Sequence, residues 1–181
     1  MPRITPIEPD RTDARTAASL KAVKARLGTL PNLFTTLARA PAALAGYLQL
    51  SEALGQGRLN SRQREMIAIA VAQENACAYC LSAHAAIGQR IGLSHEDIER
   101  ARHGGASDPM DDAVIELALL LVQRRADIGD STLETARRAG LDDALIIEII
   151  AHVALNLLTN YVNRVAGTEV DFPLVDLSPA A

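Results

Sequence analysis

Apolar residues recur along this chain at intervals of three and four, and runs that alternate apolar with polar residues are absent. A helical period without a two-residue one predicts an all-α protein, here of about eight helices. Thr12 or Asp13 can cap a first helix to Leu27, and Gly28 can supply the left-handed turn that ends it. Short helices fit 31–38 and 41–54, each opening on a proline whose missing N–H costs nothing in the first turn. Ser61 begins a helix carrying Glu65, Met66, Ile67, Ile69 and Val71, with Asn75 as its stop; the next restarts near Ala76 and reaches Ile91. Ser94 with Asp97 three positions on resembles a capping arrangement for a helix to about His103. Asp108 before Pro109, and Asp130 or Ser131 with Glu134, start two more, and the last helix spans about Leu141 to Val165.

No internal repeat, low-complexity run or long linker interrupts the pattern, so residues 1–181 read as one helical domain. Residues 1–15 read as a loosely held arm and 61–91 as the core. A chain of 181 residues can bury a core without covalent staples. Its hydrophobic fraction of 49% and charged fraction of 22% argue against disorder or a fibrous repeat.

The net charge of -4 is interspersed, with no basic block, so no nucleic-acid partner is expected. The first ten residues lack an apolar leader segment, which makes the cytoplasm the expected location. The most apolar stretch, 144–165, contains Glu148, His152, Asn156, Asn160, Asn163 and Arg164, too many polar groups for a membrane span. Because that helix is apolar around most of its circumference, it is expected to be buried between helices or in a homo-oligomer contact.

Candidate chemistry concentrates at the two cysteines. In Cys77-Ala78-Tyr79-Cys80-Leu81-Ser82-Ala83-His84 the cysteines and the histidine stand at i, i+3 and i+7, along one helix face. The start of a helix favours a thiolate through its unpaired N–H groups and dipole. A free thiol with pKa about 8.5 is only a few per cent ionised at neutral pH, and a two-unit reduction makes thiolate the major form. On an unbroken helix Glu65 would stand about 18 Å along the axis from Cys77. A turn near Asn75 brings it back level with about Ala85 and close to His84, where a carboxylate can orient the imidazole.

The pattern Glu65, eleven residues, Cys77-x-x-Cys80, three residues, His84 resembles the AhpD-like alkylhydroperoxidase branch of the carboxymuconolactone decarboxylase superfamily. The stretch from Leu27 to Phe34, the Arg64-Glu65 pair and the polar last helix resemble its peroxidase-related proteins. The resemblance implies an AhpD-like all-α fold, trimers or hexamers, and reduction of an organic hydroperoxide substrate, with a thiol or dithiol protein as reductant. It implies Cys80 as the attacking thiolate, Cys77 as the resolving thiol, and His84 with Glu65 as the proton-handling pair. The best-known members carry a histidine before the second cysteine, where this chain has Tyr79, a phenol near pKa 10 that is no proton carrier at neutral pH.

Other readings stand beside this one. Two thiolates, an imidazole and a carboxylate could satisfy tetrahedral zinc, although a compact i, i+3, i+7 set suits a catalytic site better, so neither a metal nor a cofactor is expected. A redox sensor or thiol-disulfide adaptor would use the same pair; a decarboxylase or hydrolase on the same fold would not need it. The stripe Glu148, His152, Asn156 and Asn160 reads as buried polar groups bonded to one another or across a subunit contact, with lining of the peroxide pocket as the alternative. His95 and His103 read as solvent-facing.

Overall fold

The computed structural model describes residues 1–177. Among these residues a single 3-10 turn at Pro9–Arg11 precedes nine α-helices: α1 (Ala14–Leu27), α2 (Asn32–Leu37), α3 (Pro41–Leu54), α4 (Ser61–Glu74), α5 (Ala78–Arg90), α6 (His95–Arg102), α7 (Pro109–Gln123), α8 (Asp130–Arg138) and α9 (Asp143–Ala166). There is no strand among the described residues.

Cap chemistry explains most boundaries. The Asp13 carboxylate accepts from the N–H groups of Arg15 and Thr16 at 3.0 Å, and Gly28 closes α1 at φ 79°. Asn60 with Gln63, and Ser94 with Asp97, form reciprocal capping boxes. The starts of α8 and α9, like that of α5 below, differ from the sequence expectation. Helix α8 opens from Gly129 without a side-chain cap, Asp130 being its first residue. Helix α9 begins at Asp143 rather than Leu141, because the Asp142 carboxylate accepts from the N–H of Leu145.

The junction of α4 and α5 decides where the cysteines lie. Ala76 takes φ 50°, its N–H donates to Gln73 O at 3.0 Å, and the N–H of Cys77 donates to Ala72 O at 2.9 Å. This bond pair ends a helix on a left-handed residue, a position that glycine fills most readily; alanine costs roughly 1 kcal/mol there. The chain reverses, α5 starts at Ala78 instead of near Ala76, and Cys77 becomes its N-cap.

Helix α4 is the hub, packed against α5, α6, α7 and α9. From Met66 to Ala72 seven consecutive residues are buried, each large side chain contributing about 1.5–3 kcal/mol. Met66, Ile69 and Ala70 join a cluster with α1, α2, α3, α5 and α6, whereas Ile67 and Val71 join one with α7, α8 and α9. The segment read as a loose arm is held to this body: the N–H groups of Arg3 and Ile4 donate to Ala166 O, that of Ile7 to Thr35 O, and Arg39 Nε to Thr5 O.

Helix α9 is long and apolar enough to cross a membrane by length and composition alone. Its polar residues His152, Asn156, Asn160 and Asn163 face inward and are buried, while Ile147, Ile150, Leu158, Tyr161 and Val165 stay exposed.

Candidate active site

Cys77 and Cys80 are joined by a disulfide with their Cα atoms 5.4 Å apart. Each sulfur has its own donor. Cys77 Sγ, at the head of α5, accepts from the N–H of Cys80 at 3.3 Å, and Cys80 Sγ accepts from the Nδ2 amide of Asn163 at 3.2 Å. Both cysteines are buried. Among the described residues no group of three or more His, Cys, Asp and Glu side chains converges in a way that could hold a metal ion.

One turn beyond Cys80, His84 Nδ1 meets Glu65 Oε2 at 2.7 Å. The reversal at Ala76 produces this contact between residues 19 apart by returning α5 along α4. The pair is partly open, with side-chain exposures of 23% for His84 and 18% for Glu65, so it can exchange protons with solvent or a bound molecule.

Tyr79 does something different from a relay histidine. Its hydroxyl accepts from the N–H of Leu33 at 3.1 Å, its ring meets Phe172 edge-on at 5.8 Å, and Asp171 lies beside it. Burial pushes the phenol well above its usual range; the Leu33 N–H opposes this and the Asp171 charge adds to it. Tyr79 therefore stays neutral and joins α5 to the start of α2 and to the chain after α9. That segment is fastened further: Asp171 Oδ2 accepts from the N–H of Asn32 at 2.8 Å, and the N–H of Val175 donates to Ser82 Oγ at 3.0 Å.

A cavity of about 740 Å³ opens against this assembly. It reaches α5 at Tyr79, Ala83, His84 and Ile87, and α4 at Arg64 and Glu65. The cysteines do not line it, but Tyr79 and Ala83 are the immediate helix neighbours of Cys80. Tyr47 also borders it; burial and then the charge of Glu65 raise its phenol pKa, and Arg26 lowers it.

The polar stripe of α9 divides between two roles. Glu148 accepts from the N–H groups of Arg58 and Leu59 at 2.9 and 2.8 Å, fixing the loop before α4. A Cβ on Gly57 would fall 2.3 Å from that carboxylate, so a larger residue there would displace the Glu148 side chain. Asn160 Oδ1 accepts from Asn75 Nδ2 at 3.1 Å, at the end of α4. His152 and Asn156, between them, line the cavity. His152 is buried, its Nε2 makes no hydrogen bond, and burial holds its pKa below 6.5. Asn163 was not singled out in the sequence as part of the stripe, yet it continues the same face three residues past Asn160, and that spacing was the available signal. His95 and His103 are exposed, as expected, with His103 Nδ1 2.7 Å from Glu99 O.

A model of the carboxymuconolactone decarboxylase family matches residues 41–114. Among curated proteins none matches the chain. The fold is similar to that of an alkylhydroperoxidase AhpD core structure, an uncharacterized peroxidase-related protein from Ralstonia eutropha. The TM-score is 0.85 and the identity 24%, over 94% of this chain and 92% of that one. A peroxidase-related protein from Silicibacter gives a TM-score of 0.79 and 23% identity over 92% and 91%. The debrominase Bmp8, in complex with 2,3,4-tribromopyrrole, gives 0.77 and 16% over 93% and 91%.

Proposed function

We propose that this chain, which belongs to the carboxymuconolactone decarboxylase superfamily and has the AhpD-like fold, is a thiol-dependent peroxidase for organic hydroperoxides. The observation that carries this reading is the Cys77–Cys80 disulfide, with Cys80 one turn from an imidazole bonded to Glu65 and beside a cavity large enough for an organic molecule.

In the reduced protein, Cys80 thiolate attacks the terminal oxygen of R–O–OH. An S–O bond forms, the O–O bond breaks, and the alcohol leaves with a proton supplied by His84, whose ring Glu65 orients. Cys77 then attacks the sulfur of the Cys80 sulfenic acid; the S–S bond forms and water departs. The two thiols supply two electrons, so hydroperoxide becomes alcohol and water. An external thiol or dithiol protein returns the disulfide to thiols. Asn163 supports Cys80 as the attacking sulfur, because its amide is placed to hydrogen-bond the thiolate.

The exposed apolar face of α9, with Ile147, Leu158, Tyr161 and Val165, supports self-association of this chain, for which we propose a trimer or hexamer. Light scattering of the purified protein tests it, a monomer being the contrary result.

Steady-state turnover of cumene hydroperoxide with dithiothreitol as reductant tests the activity. Many turnovers per protein, lost in Cys80→Ser, are expected. Disulfide formation without repeated turnover would point instead to a redox sensor, and a turnover indifferent to both cysteines to a decarboxylase or hydrolase activity. The dithiol could also deliver its electrons to a halogenated ring, as the likeness to a debrominase suggests; release of bromide from a bromopyrrole would reveal it.

A further inference from the structure

The cavity beside Glu65 and His84 is uneven in character. Leu33, Phe34, Ile87, Leu155 and Phe172 give it an apolar wall. At its border stand Arg26, from the end of α1, and Arg90, the last residue of α5. Six other arginines are ion-paired: Arg11 with Glu8, Arg58 with Asp142, Arg62 with Asp97, Arg100 with Glu96, Arg102 with Glu99 and Arg137 with Asp143. Arg26 and Arg90 have no carboxylate partner among the described residues. The charge of Arg26 is felt inside the cavity, since it lowers the pKa of Tyr47 on the lining.

The two acids that also line the cavity are already engaged. Glu65 holds His84, and Asp171 accepts from the N–H of Asn32. The lining thus carries three arginines, Arg26, Arg64 and Arg90, against these two carboxylates, and since Arg64 donates to Leu59 O, Arg26 and Arg90 are the cations left to meet a ligand beside the apolar wall. Guanidinium groups recognise planar oxyanions with paired N–H donors, and apolar walls recognise hydrocarbon.

We infer that this cavity binds an amphipathic organic anion, its carboxylate or phosphate held by Arg26 and Arg90 and its hydrocarbon body laid along Phe34, Ile87 and Leu155. The inference rests on the proposed function in one respect: it takes this cavity to be the site from which substrate reaches Cys80. The hydroperoxide substrate then carries an acidic head group at one end and presents the –OOH group towards His84.

Binding of three non-peroxidic probes by calorimetry to the full-length protein tests the site without requiring any turnover: decanoate, decyl phosphate and 1-decanol. Wild type is expected to bind one or both anions about tenfold more tightly than the alcohol. The tighter of the two anions identifies the head group. In R26Q/R90Q the preference disappears while 1-decanol binding is retained, and Arg15→Gln, which removes an exposed charge elsewhere on α1, leaves it intact. Equal binding of anion and alcohol by wild type, or a preference that survives in R26Q/R90Q, would overturn the inference. Anion binding lost in R26Q/R90Q without any peroxide turnover upholds the site and removes the peroxidase reading; rapid turnover without anion preference does the reverse.

Discussion

The side-chain amide of Asn163, on α9, donates to the sulfur of Cys80, on α5, at 3.2 Å, across 83 positions of sequence. A hydrogen bond to a charged acceptor is worth about 1.5–3 kcal/mol, and 1.36 kcal/mol corresponds to one pKa unit. Asn163→Ala should therefore raise the Cys80 thiol pKa by about one unit or more and slow its oxidation at neutral pH by about tenfold. The pH dependence of thiolate absorbance in the reduced protein, followed with Cys77→Ser in the background, measures the shift. An unchanged titration would remove Asn163 from the site.

Glu65 and His84 form one hydrogen-bonded pair, and their variants should combine accordingly. His84→Gln is expected to lower kcat/KM for a hydroperoxide about 10²-fold, the typical contribution of a positioned acid or base. Glu65→Gln should cost less, because the imidazole survives without its orienting carboxylate. The double variant should be little worse than His84→Gln alone, since residues in one hydrogen-bonded pair do not contribute independently. Steady-state kinetics on the three proteins distinguish this from a multiplicative loss.

Tyr79 stands where the sequence resemblance implies a histidine, and its surroundings give it a structural task. Its hydroxyl holds the N–H of Leu33, and burial keeps it neutral. Tyr79→Phe leaves that buried N–H without its partner and should cost about 1–3 kcal/mol of stability in urea unfolding. The rate of thiol oxidation by a hydroperoxide should stay within about twofold of wild type. A large loss of rate without loss of stability would instead make Tyr79 part of the proton path.

His152 makes a prediction about pH. Its pKa lies below 6.5 because of burial; Glu148 opposes that, Arg64 reinforces it, and the Leu54 carbonyl and Glu65 oppose it more weakly. As pH falls through about 6.5 the unfolded chain protonates this ring while the folded protein does not. The unfolded state then binds more protons, so stability falls on acidification by up to about 1.4 kcal/mol per pH unit until the folded pKa is reached. Urea unfolding at pH 7.5 and 5.5 should show a smaller acid loss in His152→Gln than in wild type. Equal losses would contradict the assignment.

Much of the fold was legible because its helices are punctuated chemically. Asp13 and Gly28, Ser94 with Asp97, and Asp108 before Pro109 mark their ends by side-chain acceptors and left-handed glycines that act locally. The start of α5 was misread by about two residues because Ala76 adopts φ 50° without being glycine, a choice fixed by the reversal between two packed helices. The contact of Glu65 with His84 followed once that reversal was assumed. The division of the α9 stripe did not: Glu148 faces a loop, Asn160 the end of α4, and His152 and Asn156 the cavity. The cavity itself draws on α1 to α5, α9 and the segment after it, so no local pattern announces it.

The most direct test of the peroxidase reading is stopped-flow oxidation of the fully reduced protein by one equivalent of cumene hydroperoxide, with Cys77→Ser and Cys80→Ser run alongside and a sulfenic-acid trap analysed by mass spectrometry. Fast oxidation in wild type, a trapped sulfenic acid at Cys80 in Cys77→Ser, and no fast phase in Cys80→Ser are the expected results. Slow oxidation of wild type, or equal loss in both variants, would contradict the assignment of Cys80 as the attacking sulfur and Cys77 as its resolving partner.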